Sequence, residues 1–154
     1  MFALNLPTFD GKIKQSSQGQ QIFDPYRQRY VALTPEEWVR QHFCHYLVTE
    51  KHYPASRLAN EYRIQLNGRQ RRCDTVVFDA DLQPLVICEY KAPTVEITEK
   101  VFQQIMRYDW VLKARLLIVS NGLRHYCCLM DYEHGQSRFL EGIPDYAELM
   151  SAGR

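Results

Sequence analysis

Asp74, Glu89 and Lys91 are the residues whose types and spacing could do chemistry. They fall in two apolar runs, Arg72-Cys73-Asp74-Thr75-Val76-Val77-Phe78 and Leu85-Val86-Ile87-Cys88-Glu89-Tyr90-Lys91. Strand side chains alternate faces, so Asp74 is expected beside Val76 and Phe78, and Glu89 beside Leu85, Ile87 and Lys91. Two carboxylates and an ammonium then lie on otherwise aliphatic faces, which is costly unless they pair or hold a metal. A structural ion pair at a strand end is one outcome. The other is a hard divalent cation, Mg²⁺ or Mn²⁺, held by Asp74 and Glu89 together with waters and substrate phosphate oxygens. Lys91 would then stabilise negative charge developing on the phosphoryl group, a combination that fits phosphodiester hydrolysis.

The elements that must position these residues are legible around them. Thr34-Pro35-Glu36-Glu37 predicts a helix start, with Thr34 as N-cap, proline in the first turn and Glu37 completing a capping box. Trp38, Val39, Phe43, Tyr46 and Leu47 form its apolar stripe, and the helix ends before Pro54. Tyr62 to Leu66 reads as a strand, and Asn67-Gly68 is a hairpin turn signal. Central strands follow at 72–78 and 84–91. A second helix over 97–113 carries Ile97, Val101, Ile105, Tyr108 and Leu112 on one face. Arg115 to Val119 is a near-continuous apolar strand suited to burial on both faces. Asn121-Gly122 turns into a strand near 124–130, and Arg138-Phe139-Leu140 adds an edge. An extended pair spanning Gln21 to Ala32, broken at Asp24-Pro25, precedes the first helix, and residues 1–22 read as a polar, loop-like arm. The expected architecture is α/β, a mixed central β-sheet flanked by helices, in a single domain over residues 1–154.

Composition narrows the function classes. The chain is 45% hydrophobic and 24% charged, which argues for a packed core and against disorder. A net charge of +1 leaves no global field to draw the chain onto nucleic acid, but its distribution is uneven. Five arginines (57, 63, 69, 71 and 72) face a single acid, Glu61, between Arg57 and Arg72. Arg69 and Arg71 could contact nucleic-acid phosphates; equally, the cluster could be a solvated hairpin tip. The five cysteines show no metal or CxxC spacing, and the five histidines form no metal motif. Buried thiols imply a reducing, cytoplasmic setting, and no signal pattern or membrane-length apolar run is present. A small-molecule enzyme lacks support, because GxGxxG, Walker A and nucleophile-elbow patterns are missing.

Asp74, followed after fourteen residues by Glu89-x-Lys91, resembles the PD-(D/E)XK nuclease signature. The wider sequence is similar to the N-terminal nuclease domain of type I restriction enzyme R subunits. The resemblance spans about residues 20–125 and includes Phe23-Asp24-Pro25, Leu33 to Gln41, Glu61, Glu89-Tyr90-Lys91-Ala92-Pro93, Gln104-x-x-x-Tyr108 and Asn121-Gly122. One departure is Cys73, which stands where the superfamily name has proline. The resemblance implies a restriction-endonuclease-like fold and a Mg²⁺-dependent endodeoxyribonuclease, with DNA as substrate and restriction-modification subunits or a separate motor as partners. It implies that Tyr90 offers its backbone carbonyl to the metal. It also suggests Glu37 as a further metal-shell acid, although the capping box already accounts for that residue. Gln104 and Tyr108 would lie near the site and nucleic acid, or alternatively border the core. Glu61 would orient Arg72 or Lys91 rather than react. The rival class is a catalytically inactive DNA-binding or assembly module that kept the fold. Neither motor nor base-reading motif is evident, so target specificity is not encoded visibly here.

Overall fold

A computed structural model describes residues 3–151 and, within them, every side chain but those of Leu66 and Tyr108. Two sheets organise the chain. Strands β1 (Ile13–Ser16), β2 (Gly19–Asp24) and β3 (Arg29–Ala32) form a small antiparallel sheet. The second sheet has six strands in chain order: β4 (Leu58–Leu66), β5 (Arg69–Phe78), β6 (Pro84–Tyr90), β7 (Leu116–Ser120), β8 (His125–Asp131) and β9 (Gln136–Leu140). Only β6 and β7 run parallel, because the connection between them contains a helix. Helices α1 (Pro35–Thr49), α2 (Glu99–Asp109) and α3 (Tyr146–Ser151) complete the fold.

The two longer helices cover opposite faces of the six-stranded sheet. On one face Val39, Phe43 and Leu47 of α1 pack with Val77, Val86, Cys88, Tyr90, Leu116 and Ile118. On the other, Ile97 and Phe102 join Val76, Ile87, Leu117, Val119 and Cys128. Strand alternation therefore divides β6 and β7 between two cores, and all five β7 residues are buried. Cys127 and Cys128 fall on opposite faces, as adjacent strand residues must.

Local signals act where expected. Thr34 accepts a hydrogen bond from the Glu37 N–H at 3.0 Å and starts α1. Asn67 and Gly68 both take positive φ, 51° and 75°, as a tight hairpin between β4 and β5 requires. Several boundaries differ from expectation. The supposed arm contains β1 and the start of β2, whose polar residues satisfy their backbone in the small sheet. The second helix is shorter than 97–113, because Trp110–Leu112 tightens into a 3₁₀ turn ended by Lys113 at φ 54°. β6 stops at Tyr90, and Leu85 joins the α1-side core rather than Ile87's face. α3 was not anticipated.

Near Gly122 the N-terminal segment docks onto the turn between β7 and β8. The Asn5 N–H donates to the Gly122 carbonyl at 2.8 Å. Gly122 has φ +85°, and a Cβ there would meet Leu4 Cδ2 at 2.7 Å. Asn121 holds the same turn, accepting from the Leu123 and Arg124 N–H groups.

Candidate active site

β5 and β6 are neighbours, paired antiparallel through Thr75↔Cys88 and Val76↔Ile87. One further step in that register brings Asp74 opposite Glu89. Asp74 Oδ2 accepts the Tyr90 N–H at 2.8 Å, so this carboxylate lies against the end of β6. Pairing on the other side of Asp74 is interrupted: Asn60↔Thr75 and Tyr62↔Cys73 pair, while Glu61 between them takes φ 57°. The irregularity turns the Asp74 carbonyl to Arg40, whose Nη1 donates to it at 2.7 Å. Cys73 and Val76, three residues apart, both join the α2-side core.

Glu89 retains slight exposure, but its Oε1 is sealed from solvent without a hydrogen-bond partner among the described residues. Burial, and then the adjacent Asp74 and Asp109 carboxylates, push its pKa up to about 10. Asp109, at the end of α2, is 4% exposed and likewise has a sealed, unpartnered oxygen, Oδ2. Burial pushes Asp109 up to about 6, although Arg71 beside it pulls the other way. Ligand atoms of Cys73, Glu89 and Asp109 all lie within 4.8 Å of one another. Orphaned, crowded carboxylate oxygens call for a cation or protons, so the donor set fits a hard divalent ion. Cys73 adds little to such a site, since burial and the neighbouring acids push its thiol up to about 12 and keep it neutral.

Lys91 follows β6, its N–H donating to the Ser120 carbonyl at 2.9 Å as the parallel pairing runs on. It is half-buried, and its ammonium has no acidic partner within 4.0 Å among the described residues. A structural ion pair between Lys91 and Asp74 or Glu89 is therefore excluded in this conformation. Tyr90 sends its side chain to the opposite face, where the hydroxyl donates to Thr75 Oγ1 at 2.9 Å.

The structure does not bring Glu37 to this group. Its carboxylate is filled by Arg27 at 2.7 Å, Arg40 at 3.1 Å and the Gln41 amide at 2.9 Å. Glu37 is thus not the reciprocal half of a capping box, the Thr34 N–H going to the Ala32 carbonyl; it is the centre of an ion network. That network runs from Asp24 through Arg27, Glu37 and Arg40 to Glu61 and Arg72. Burial opposes the Asp24 charge, but bonds from Arg27, Asn60 and the Tyr26 N–H outweigh it and hold the carboxyl below its ordinary value. Glu61 pairs with Arg72 and Arg40, not Lys91.

Gln104 is exposed on α2, and the Tyr108 side chain lies outside the described residues. Arg69 is exposed at the hairpin tip, whereas Arg71 turns inward to Asp109 at 2.7 Å. Sequence reasoning missed Asp109 and Arg40. One signal was available for Asp109: a carboxylate in the last turn opposes the helix dipole, so something else must hold it there.

A mixed sheet covered by a helix on each face, with carboxylates brought together from adjacent central strands, makes this a mixed α/β domain with one concentrated acidic group. Residues 35–144 match the model of the family described as Type I restriction enzyme R protein N terminus (HSDR_N). The chain belongs to that family. Its fold is similar to a fragment of a protein described as the HsdR subunit of a type I restriction enzyme from Vibrio vulnificus YJ016. The TM-score is 0.54 at 22% identity, covering 78% of this chain and 25% of that one. The chain thus spans about a quarter of the length of the structure it matches. No curated protein matches it significantly. Among the described residues no helix is long and apolar enough to cross a membrane.

Proposed function

We propose that this domain is a Mg²⁺- or Mn²⁺-dependent endodeoxyribonuclease that acts within a type I restriction system. The observation that carries the reading is Glu89: a nearly buried carboxylate with one orphaned oxygen, set beside Asp74 and close to Asp109. Asp74 and Glu89 would hold the cation, with the Tyr90 carbonyl contributing and Asp109 closing the set from α2. When bound, the ion would polarise the scissile phosphate and acidify an attacking water. Lys91, with no acidic partner within 4.0 Å among the described residues, supplies positive charge to the phosphoryl oxygens as they become more negative. Arg40 keeps Asp74 in place by gripping its carbonyl. Tyr90 anchors the strand end through Thr75, while its N–H orients the Asp74 carboxylate.

Membership of the R-subunit family supports DNA as substrate and the remaining restriction-modification subunits, including a motor, as partners. The test is cleavage of plasmid DNA with Mg²⁺, alone and with such partners, beside thermal melts. Asp74→Ala, Glu89→Ala and Lys91→Ala should each abolish cleavage. A metal-induced rise in Tm should persist in Lys91→Ala, where both ligands remain, and vanish in Asp74→Ala. If no divalent metal stabilises the parent and no partner elicits cleavage, a non-catalytic assembly module replaces this reading.

A further inference from the structure

An arginine-lined cleft of about 680 Å³ opens between the small sheet and strands β4 and β5. Its walls are Arg27, Arg29, Asn60, Glu61, Arg63 and Arg72, four guanidiniums against one carboxylate. They are not equivalent. Arg27 is committed inward to Asp24 and Glu37. Arg72 touches Glu61 at 2.6 Å, but Glu61 Oε2 has no well-aligned hydrogen bond and the Arg72 side chain is 59% exposed. Arg29 and Arg63 are exposed, with no acidic partner within 4.0 Å among the described residues. Arg63 and Arg72 also stand directly opposite each other in the β4–β5 ladder. Like charges in that relationship repel and oppose folding, and an anion seated between them would reverse the sign.

We infer that this cleft binds the phosphodiester backbone of DNA, with Arg29, Arg63 and Arg72 taking successive phosphates. The arginines come from three strands, so their charge is spread along a groove rather than focused on one small ion. Guanidinium forks suit phosphate oxygens bidentately. The cleft is also tied to the candidate active site: its wall residue Glu61 is gripped by Arg40, which holds the Asp74 carbonyl at 2.7 Å. The tip residue Arg69 lies outside the cleft lining, and Arg71 is engaged with Asp109. The identity of the polyanion rests on the nuclease reading; the arginine site itself does not.

The experiment is fluorescence anisotropy of a labelled DNA duplex in EDTA across a salt series. Arg29→Ala/Arg63→Ala should weaken binding about tenfold or more at low salt. It should also make the log–log salt slope shallower by about 2, since each phosphate contact contributes about 0.9. Arg69→Ala should stay within about twofold of the parent. All three substitutions are at exposed positions, and matching thermal melts verify the fold. Parent-like affinity in the double variant, with Arg69→Ala weakened instead, overturns the cleft. Displacement of the duplex by polyglutamate as readily as by unlabelled duplex overturns DNA as the ligand. Arginine-dependent binding without metal-dependent cleavage sinks the nuclease reading alone; cleavage with arginine-independent binding sinks the cleft alone.

Discussion

Arg71 donates to Asp109 Oδ1 at 2.7 Å, pinning the end of α2 to β5 and withdrawing one guanidinium from the basic hairpin. The Arg71 charge acts against the upward shift of both the Glu89 and the Asp109 carboxyl. Removing one member of a buried pair strands the other, typically costing 3–5 kcal/mol. Arg71→Ala is therefore expected to lower metal-free stability by about 3 kcal/mol in urea melts. Saturating Mn²⁺ should recover much of that loss, because it supplies the missing positive charge. An Arg71→Ala protein as stable as the parent in EDTA would contradict the arrangement.

Glu89 makes the metal-free protein sensitive to alkali. Its folded pKa lies near 10, above the ordinary carboxylate value of 4.5, so the folded chain holds a proton that the unfolded chain has released. Its stabilising contribution is complete below pH 4.5 and is lost as pH rises through 10, at up to about 1.4 kcal/mol per pH unit. Buried His42 and half-buried His125, both lowered by desolvation, act in the opposite sense only below about 6.5. Urea melts in EDTA between pH 7 and about 8.5 should thus show falling stability in the parent. In Glu89→Gln, which needs no proton, the fall should be much smaller.

Asp109 should behave as part of the cation centre although it lies outside the strand pair. Asp109→Asn keeps the size of the side chain but removes a charge. The Mn²⁺-induced rise in Tm is expected to shrink by at least half relative to the parent, by linkage between binding and unfolding. An undiminished shift would place Asp109 in a purely structural role with Arg71.

Glu37 provides the converse case. Glu37→Gln leaves Arg27 and Arg40 short of a buried counter-charge and should destabilise by about 3 kcal/mol. The metal-induced change in Tm should nevertheless match the parent's, since the Glu37 carboxylate is filled by Arg27, Arg40 and Gln41. Loss of the metal response would return Glu37 to the ligand set.

Gly122 tests the docking of the N-terminal segment. Gly122→Ala must adopt φ +85° and drive Leu4 Cδ2 away from 2.7 Å, so a loss of roughly 1–3 kcal/mol is expected in chemical denaturation. The neighbouring exposed Leu123→Ala, with no such approach, should cost less.

The sequence by itself determined the parts governed by local periodicity and turn chemistry. Alternation placed Val76 and Ile87 on one side of the sheet and Val77, Val86 and Cys88 on the other. Thr34 started α1, and Asn67-Gly68 closed the β4–β5 hairpin, because caps and tight turns depend on a few adjacent residues. The pairing of β5 with β6 followed from a short turn, and with it the approach of Asp74 to Glu89. Only the tertiary structure decided which charges meet across long separations. Glu37 went to Arg27, Arg40 to Glu61, and Arg71 to Asp109. These are contacts between elements, set by how α1 and α2 lie on the sheet, and strand or helix periodicity carries no information about them. The same holds for the cleft: Arg29 and Arg63 are far apart in the chain and share a surface because the small sheet packs beside β4.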